Sequence, residues 1–347
     1  MKRSALRLLP GLLVSGGFLY WFLDTAQWAE VGQSLAGVSL FWVIGSALVL
    51  FTEFFLRSLR WKVLLGPLRT PEGLAPRLKL GRLFVTTVIG MSLNVVLPFR
   101  AGDFARPFLG SRETGIGIAP LVTIAVMERV FDILGLVSVL LLMVLTLPAD
   151  AAAHGELVSN LKIYGGTLGI LGVCGLSTMF VLAMERERAR GIFETLAMMF
   201  PGPLRGKVLQ LYEGLADGLE VVRNLKRVLL AMLISLMHWL NGAISIFLLF
   251  KAFAMPLPFS AACFTTVAIA LAAALPQAPA FVGVFHAAIQ ATLELWGMPS
   301  DPAKAYAILF WAVSFVPIAI VGVLLFWREG LSLSDLRSPA QQDKQSA

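Results

Sequence analysis

Charged residues are scarce in this chain. Asp, Glu, Lys and Arg together make up 14% of its 347 residues, against about 25% in an ordinary soluble protein. Hydrophobic residues make up 58%, and the mean hydropathy is +0.81. Several apolar runs approach or exceed the roughly 20 residues that cross a bilayer. The composition therefore excludes an ordinary soluble domain and predicts an all-α polytopic membrane protein.

Cysteine and histidine are also rare, with two and three residues respectively. Cys174 and Cys263 both lie in apolar runs, so we expect buried thiols rather than a disulfide framework. The histidines lie far apart, without HxxxH or CxxC spacing, so we expect neither a metal nor another cofactor. Walker A and G-x-S-x-G motifs are missing as well, which is weak support for a protein that is not an enzyme.

The net charge of +7 predicts membrane topology rather than a nucleic-acid partner. Positive residues collect in cytoplasmic loops and near anionic lipid, and here more than half of them lie in residues 57–82 and 185–227. We therefore expect both segments, and both termini, on the cytoplasmic side of the membrane. Within the first segment, Trp61 and leucines alternate with cations, as in an interfacial helix. A helical apolar period from Leu204 predicts an amphipathic helix in the second segment.

Six long apolar runs predict six full transmembrane helices, at residues 8–23, 39–56, 116–147, 163–184, 228–253 and 305–327. Two further runs, 83–97 and 261–275, hold only 15 residues each. At 1.5 Å per residue each spans about 22 Å, short of the ~30 Å hydrocarbon core. We expect each to turn back and to form a re-entrant helical hairpin with residues 104–112 or 281–296. Eight full spans are the alternative.

The order of these elements predicts an inverted repeat. Each half consists of two spans, a hairpin and a further span. Because each half crosses the membrane three times, the second half starts on the opposite side and has the inverted orientation, as in many transporters. We expect one integral membrane domain over residues 1–330, with pseudo-halves of about 1–162 and 163–330. Residues 331–347 are predicted to be a polar cytoplasmic tail.

The break of the first hairpin carries an unusual concentration of charge. Arg100, Asp103 and Arg106 follow directly on an apolar run, at a tip formed by Pro98 and Gly102. Charge against hydrocarbon costs about 2.5–3.5 kcal/mol per residue on insertion scales. The planar guanidinium suits a phosphate, and one aspartate can neutralise only one arginine. We expect an anionic head group to bind here; an internal Arg–Asp pair or snorkelling cations are the alternative.

A second group of charges lies inside the third long span. Glu128 and Asp132 share a helical face, and Arg129 is adjacent to it. Intramembrane charges indicate function by default, whether as a ligand or proton site or as a brace that receives Arg100 or Arg106. Both interpretations stay open. Asn94, before the first break, is a candidate ligand or a helix-breaking hydrogen bonder.

The second hairpin has a tip rich in proline and glycine. Pro276, Pro279 and Gly283 are expected to break the helix and to free backbone groups toward a cavity. His286 follows Gly283 by about one turn and is a candidate titrating group, although an isolated histidine on an apolar helix is more often a packing residue.

Four of these segments, taken in order, resemble a known family. They are Arg60-Trp-Lys, Leu97-Pro-Phe-Arg-Ala-Gly-Asp with Arg106, Glu128-Arg-Val-Phe-Asp132, and Pro279-Ala-Phe-Val-Gly-Val-Phe-His286. They resemble the lysylphosphatidylglycerol synthase transmembrane-region family, also called the flippase-like domain family, over about residues 40–325. The resemblance implies a domain of a bacterial or archaeal inner membrane that moves lipids or lipid-linked carriers between leaflets. It also implies that the charged residues of the first hairpin and the third span surround a polar cavity.

The chain departs from the family pattern at two points. The family usually has Pro-Gly-Gly-x-Gly-x-x-Glu at the second hairpin, where this chain has Ala280, Phe281 and His286. It therefore lacks the glutamate on which coupling at that position would depend. Only a short tail follows Trp327, so we expect no aminoacyl-lipid synthesis by this chain.

The expected function is a flippase for an anionic phospholipid or a polyprenyl-phosphate lipid. Two alternatives belong to other classes of protein. One is a membrane enzyme that acts on a polyprenyl-phosphate substrate. The other is an ion-coupled transporter of small solutes, for which we expect a closed cavity without a lateral opening.

Overall fold

The computed structural model describes residues 2–24, 26–97, 100–146, 155–199, 201–274 and 278–331. Over these residues the chain is helical, without strands. The α-helices are Lys2–Asp24 (α1), Trp28–Ala36 (α2), Leu40–Leu65 (α3), Leu80–Val96 (α4), Ala101–Thr114 (α5), Ile118–Leu145 (α6), Gly155–Met184 (α7), Arg186–Ala197 (α8), Gly202–Gly218 (α9), Leu225–Ala252 (α10), Phe259–Ala272 (α11), Val284–Leu295 (α12) and Ser300–Arg328 (α13). Short 3₁₀ segments lie at Leu219–Arg223 and Pro279–Phe281.

This architecture confirms an all-α polytopic membrane protein. Within the described residues, α3, α10 and α13 are long and apolar enough to cross a bilayer, and the end of α7 with α8 would add a fourth span if the bent pair crosses as one. The two helices of that pair meet at an angle of 93°, so α8 does not continue the axis of α7. Helix α6 is as long as the three clear spans but carries Glu128, Arg129 and Asp132 near its middle.

Helices α3 and α10 form an antiparallel pair. Ser46 Oγ lies 2.9 Å from Ser245 Oγ, and Asn241 Nδ2 donates to the carbonyl of Val49 at 2.8 Å. Small hydroxyl residues let two helices approach closely, and they satisfy each other's polar groups in an apolar surrounding.

Helices α4 and α5 form the first hairpin. Asn94 near the end of α4 bonds Asp103 near the start of α5, and Arg82 at the start of α4 pairs with Glu113 at the end of α5. The two helices therefore run antiparallel, and both open ends of the hairpin lie at the same end of the bundle. A side chain at Gly102 would collide with the carbonyl of Gly90, so this close approach requires glycine. The predicted tip residue Pro98 lies outside the described residues.

Helices α11 and α12 form the second hairpin. Thr265 Oγ1 donates to Thr292 Oγ1 across the pair at 3.3 Å. Gly283, the residue before α12, has φ +86° and packs so closely on the carbonyl of Ser15 in α1 that a side chain would collide with it. Pro276 lies outside the described residues. Pro279 begins the 3₁₀ segment before α12, where the sequence predicted the hairpin tip.

Each hairpin packs against the long helix that ends the other half. Helix α4 contacts α13, and α11 contacts α6. The order long helix, hairpin, long helix occurs twice, in α3–α6 and in α10–α13. The two copies run in opposite directions, because α3 begins where α10 ends, with Ser39 N–H donating to the carbonyl of Ala252. The division near residues 162 and 163 stays a prediction.

These contacts define the two ends of the helical bundle. At the basic end, Arg82 contacts both Glu113 and Glu329. At the distal end, Ser39 contacts Ala252.

Helices α8 and α9 pack on each other, and hydrogen bonds from Arg186 to Glu213 and then to Asp217 raise the pKa of the Arg186 guanidinium above its ordinary value.

Candidate functional site

Nine charged side chains from α3, the first hairpin and α6 form one cluster where these helices meet. They are Arg57, Arg60, Arg100, Arg106 and Arg129 with Glu53, Asp103, Glu128 and Asp132. Five arginines and four carboxylates leave a formal surplus of one positive charge. The distribution of that surplus within the cluster decides what the cluster can bind.

One part of the cluster is buried and balanced. Arg60 Nη1 donates to Asp132 Oδ1 at 2.6 Å and to Ser235 Oγ at 2.7 Å, and its Nε lies 3.6 Å from Glu128 Oε1. Arg106 Nη2 lies 2.8 Å from Glu128 Oε2 and 2.9 Å from Oε1. All four charged side chains are buried, and two arginines here meet two carboxylates.

The face of Arg106 is also covered. Its guanidinium carbon lies 4.5 Å from the ring centre of Trp61, a cation–π arrangement that strengthens when water is excluded. The Arg106–Glu128 pair ties α5 to α6, and the Arg60 pairs tie α3 to α6. This matches the bracing alternative, in which a carboxylate of α6 receives an arginine of the hairpin.

The other part of the cluster is exposed and unbalanced. Arg100 Nε lies 3.1 Å from Asp103 Oδ2, and Arg129 Nη2 lies 3.6 Å from Asp103 Oδ1. The side chains of Arg100 and Arg129 are 39% and 44% exposed. Arg129 also lies 3.6 Å from Asp132, but that carboxylate already binds Arg60. Two accessible arginines thus share one accessible carboxylate.

Asp103 is held in position by Asn94. The Nδ2 of Asn94 donates to Asp103 Oδ1 at 2.9 Å, and the Asp103 N–H donates to Asn94 Oδ1 at 3.0 Å. This reciprocal pair also satisfies an N–H at the start of α5, as a helix cap does. Asn94 therefore orients the carboxylate that lies between the two exposed arginines.

Arg100 has an unusual backbone conformation and connects the two hairpins. Its φ of 52° and ψ of 44° are left-handed, which is rare for a residue with a Cβ atom and is concentrated at functional positions. Its Nη1 donates to the carbonyl of Ala273 at the end of α11, at 3.3 Å. The exposed arginines therefore lie where the first hairpin meets the second.

The tip of the second hairpin keeps a backbone that favours glycine. Ala280 and Phe281 have φ values of 58° and 59°, and they occupy two of the three positions that are glycine in the family pattern given above. Both residues therefore have a left-handed conformation that glycine would adopt more freely. The Ala280 carbonyl accepts a hydrogen bond from Trp311 Nε1 at 2.8 Å, which holds this segment to α13.

His286 lies apart from the arginine cluster. Its ring contacts those of Phe22 and Trp311, with centroids 5.1 and 5.7 Å away, and the side chain is buried. These surroundings favour the interpretation as a packing residue. No group of three metal-ligating side chains occurs within the described ranges.

Sequence reasoning missed Arg60. It ended the second span at Leu56 and assigned the following cations to a cytoplasmic segment, whereas α3 continues to Leu65 and buries Arg60. A signal was available, because neither proline nor glycine occurs between Leu56 and Gly66. Arg60 also belongs to the first of the four family-like segments. The burial itself depends on the carboxylates of α6, which are distant in the sequence.

Comparisons with known proteins identify the family of this chain. The model of the lysylphosphatidylglycerol synthase transmembrane region matches residues 8–322. A UPF0104 membrane protein of Methanothermobacter thermautotrophicus is 23% identical over 279 residues, which cover 77% of each chain. A UPF0104 membrane protein of Methanocaldococcus jannaschii is 24% identical over 239 residues, 68% of this chain and 94% of its own. No solved structure matches.

Proposed function

The chain belongs to the lysylphosphatidylglycerol synthase transmembrane-region family, and we propose that it moves an anionic phospholipid or a lipid-linked phosphate between the two leaflets of the membrane. The observation that carries the proposal is the shared carboxylate: Arg100 and Arg129 are both accessible and have Asp103 between them. A cationic surplus inside an apolar bundle is costly unless an anion joins it.

A phosphate group suits the surplus positive charge of Arg100 and Arg129 better than another carboxylate of the chain would. A guanidinium presents a planar fork that binds phosphate oxygens in pairs, and the side chains of Arg100 and Arg129 are both partly exposed. Asp103 acts as the internal counter-ion while the site is empty. An arriving phosphate monoester or diester neutralises the surplus, and Asp103 keeps the arginines from binding it too tightly to release.

The two hairpins provide the moving parts in this proposal. The basic end, with its surplus of arginine and lysine, faces the cytoplasm by the positive-inside rule. The contact of Arg100 with Ala273 at the end of α11 links the site to both hairpins. Opposed hairpins that open in turn would expose the arginines first to one leaflet and then to the other, as in inverted-repeat transporters.

Lipid exchange in reconstituted vesicles tests the proposal. Phosphatidylglycerol with a fluorescent head-group label is incorporated, and dithionite added outside quenches the accessible leaflet. We expect the wild type to expose the inner-leaflet label during the assay. Arg100→Ala and Arg129→Ala each lose a charge-assisted contact of about 1.5–3 kcal/mol, which corresponds to exchange slower by about 10- to 100-fold.

A matched control removes an arginine outside the cluster. Arg188 in α8 has an 82% exposed side chain and pairs only with Glu185 among the described residues, so Arg188→Ala should exchange lipid at the wild-type rate. Equal exchange in the wild type, Arg100→Ala and Arg129→Ala would contradict the site. Uptake of soluble phosphate without lipid exchange would favour the small-solute alternative, and a chemically altered lipid would favour an enzyme.

A further inference from the structure

His238 of α10 is a buried titratable side chain that the site described above does not use. It is 4% exposed, and neither of its ring nitrogens forms a hydrogen bond with a described residue. Most buried polar groups in proteins do have a hydrogen-bond partner. A histidine buried without one is therefore a candidate for a group that gains a partner in a second state of the protein, and the group that faces the ring indicates which partner that is.

Glu53 of α3 faces the ring of His238. Its Oε1 lies 3.7 Å from His238 Nδ1, which is longer than a hydrogen bond, and the same oxygen accepts a hydrogen bond from Arg57 Nε at 2.9 Å. His286 is also buried, but it contacts aromatic rings, so the carboxylate distinguishes His238 from it. One oxygen of Glu53 thus lies between a guanidinium that binds it and an imidazole that does not.

Arg57 connects Glu53 to the phosphate site. Among the described residues, Glu53 is the one carboxylate within ion-pair distance of Arg57, and the charge of Arg57 also acts on Arg100 and Asp103. A phosphate bound at Arg100 therefore attracts the Arg57 guanidinium away from Glu53. Once Arg57 has turned to the phosphate, Glu53 has lost its counter-charge.

We propose that Glu53 is a proton-binding site coupled to the phosphate site. When Arg57 turns to the bound phosphate, the Glu53 carboxylate takes one proton from water, and the resulting carboxylic acid donates a hydrogen bond to His238 Nδ1. When the phosphate leaves, Arg57 returns to Glu53 and the proton goes back to water. The proposal rests on the transport function above and adds that one proton accompanies each bound lipid.

The balance of charge agrees with this exchange. A phosphodiester brings one negative charge to the cluster, and the proton on Glu53 brings one positive charge. The loaded site therefore has the same formal charge as the empty one, and no additional net charge has to be placed within the bundle, where it is costly.

Burial favours Glu53 over His238 as the residue that carries the proton. The same proton on His238 would leave a carboxylate facing an imidazolium, and two charges cost more to bury than two neutral groups. Three cations and one carboxylate of the cluster act on the ring, namely Arg57, Arg60, Arg129 and Asp132. His238 therefore accepts the hydrogen bond, and Glu53 donates it.

The other described helices that pack on α3 and α10 place no further unpaired charge beside this pair. Helix α4 carries only Arg82, which is bound at the basic end, and Glu128 of α6 already binds Arg106. The titratable residue of α11 is Cys263. Helices α10 and α13 have their other charges near their ends, at Lys226, Arg227, Lys251, Asp301, Lys304 and Arg328.

The pH dependence of lipid binding tests the proposal. Short-chain phosphatidylglycerol, whose phosphodiester keeps its single charge, is titrated into the full chain in detergent at about pH 6, 7 and 8, and calorimetry gives the affinity. Because the lipid-bound state holds the extra proton, the affinity should rise as the pH falls, by up to about tenfold per pH unit. Glu53→Gln, an uncharged isostere of the acid, should bind with an affinity that does not change with pH. Glu185→Gln, which removes an exposed carboxylate outside the cluster, should keep the wild-type dependence.

A substitution of His238 distinguishes the donor from the acceptor. In His238→Leu the acid form of Glu53 has no ring nitrogen to bond, so the rise in affinity should persist but begin at a lower pH. The proposal is overturned if the wild-type affinity does not change with pH. It is also overturned if the dependence is lost in His238→Leu and kept in Glu53→Gln, because the proton would then lie on the ring.

Infrared difference spectroscopy observes the proton directly and can be carried out on the wild type alone. Ether-linked phosphatidylglycerol has no ester carbonyl, so the C=O band of a carboxylic acid that appears on binding belongs to the protein. We expect that band in the wild type and in Glu185→Gln, and we expect it to be missing in Glu53→Gln. Lipid binding to the wild type without this band would contradict the proton site.

The proton site and the transport function can fail separately. If the wild type exchanges lipid but its lipid affinity does not change with pH, the proton site is wrong and the transport function stands. If binding depends on pH and the acid band appears, but the wild type exchanges no lipid, the transport function is wrong and the proton site stands.

Discussion

Arg106 and Glu128 form a buried pair in which one guanidinium nitrogen lies 2.8 and 2.9 Å from the two carboxylate oxygens. The pair joins the second helix of the first hairpin to the middle of α6. Because Trp61 covers the guanidinium from α3, three helices depend on this one contact. Arg106 therefore differs in role from Arg100, although the two lie only six residues apart.

Loss of one partner in this pair should destabilise the fold. Glu128→Gln leaves Arg106 without a counter-charge, while Arg60 keeps Asp132, and breaking a buried ion pair costs about 3–5 kcal/mol. We expect a clear fall in the midpoint of thermal unfolding in detergent. Glu185→Gln, which removes an exposed carboxylate, should leave the midpoint unchanged. A Glu128→Gln protein as stable as the wild type would contradict the brace.

Asp103→Asn should separate binding from release. The substitution removes the carboxylate that Arg100 and Arg129 share, so the positive surplus of the cluster rises by one. We expect more phosphatidylglycerol to remain bound in native mass spectrometry and lipid exchange to slow, because the phosphate leaves less readily. Asn94→Asp places a carboxylate beside Asp103 and should reduce the bound lipid. Weaker lipid binding in Asp103→Asn would show that Asp103 does not compete with the phosphate.

Ala280→Gly should stabilise the second hairpin. Ala280 has φ 58°, and a left-handed conformation costs a residue with a Cβ atom roughly 1–2 kcal/mol. Glycine adopts it without that cost, so we expect a higher midpoint of thermal unfolding. The control Ala287→Gly, inside α12, should lower the midpoint, since glycine in a helix costs about 1 kcal/mol. A fall in both variants would mean that Ala280 is not strained.

Gly102→Ala should open the first hairpin. The added methyl group would collide with the carbonyl of Gly90, and overpacking of this kind costs about 1–3 kcal/mol. We expect lower thermal stability together with slower lipid exchange, because α4 and α5 position Asn94 and Arg100. Gly206→Ala in α9, where a methyl group meets no neighbouring atom, should lower neither. Unchanged stability and exchange in Gly102→Ala would contradict the close packing of the hairpin.

The local elements of this protein could be read from its sequence. Apolar runs that are too short to cross a bilayer predicted both hairpins, and α4, α5, α11 and α12 lie where they were expected. The reason is that run length and helix-breaking residues are local properties. The same holds for the charge near residue 100, since charged residues directly after an apolar run are visible without a fold.

The division of the arginines into two roles depended on the tertiary structure. Arg100 and Arg106 were predicted together as phosphate ligands, yet Arg106 is enclosed by Glu128 and Trp61 while Arg100 is accessible. Spacing along one helix cannot distinguish them, because the difference arises from side chains on α3 and α6. Whether Arg106 also contacts the substrate stays a prediction.

The sequence determined that the chain is a helical membrane protein with two broken segments and a cationic surplus, because hydropathy, run length and charge count are additive along the chain. Only the tertiary structure decided which charges neutralise each other, that Arg60 is buried, and that Arg129 stays partly exposed. These depend on contacts between residues distant in sequence, such as Arg60 with Asp132 and Arg129 with Asp103. Burial and pairing are properties of packed helices, and they set which arginine remains available for an anion.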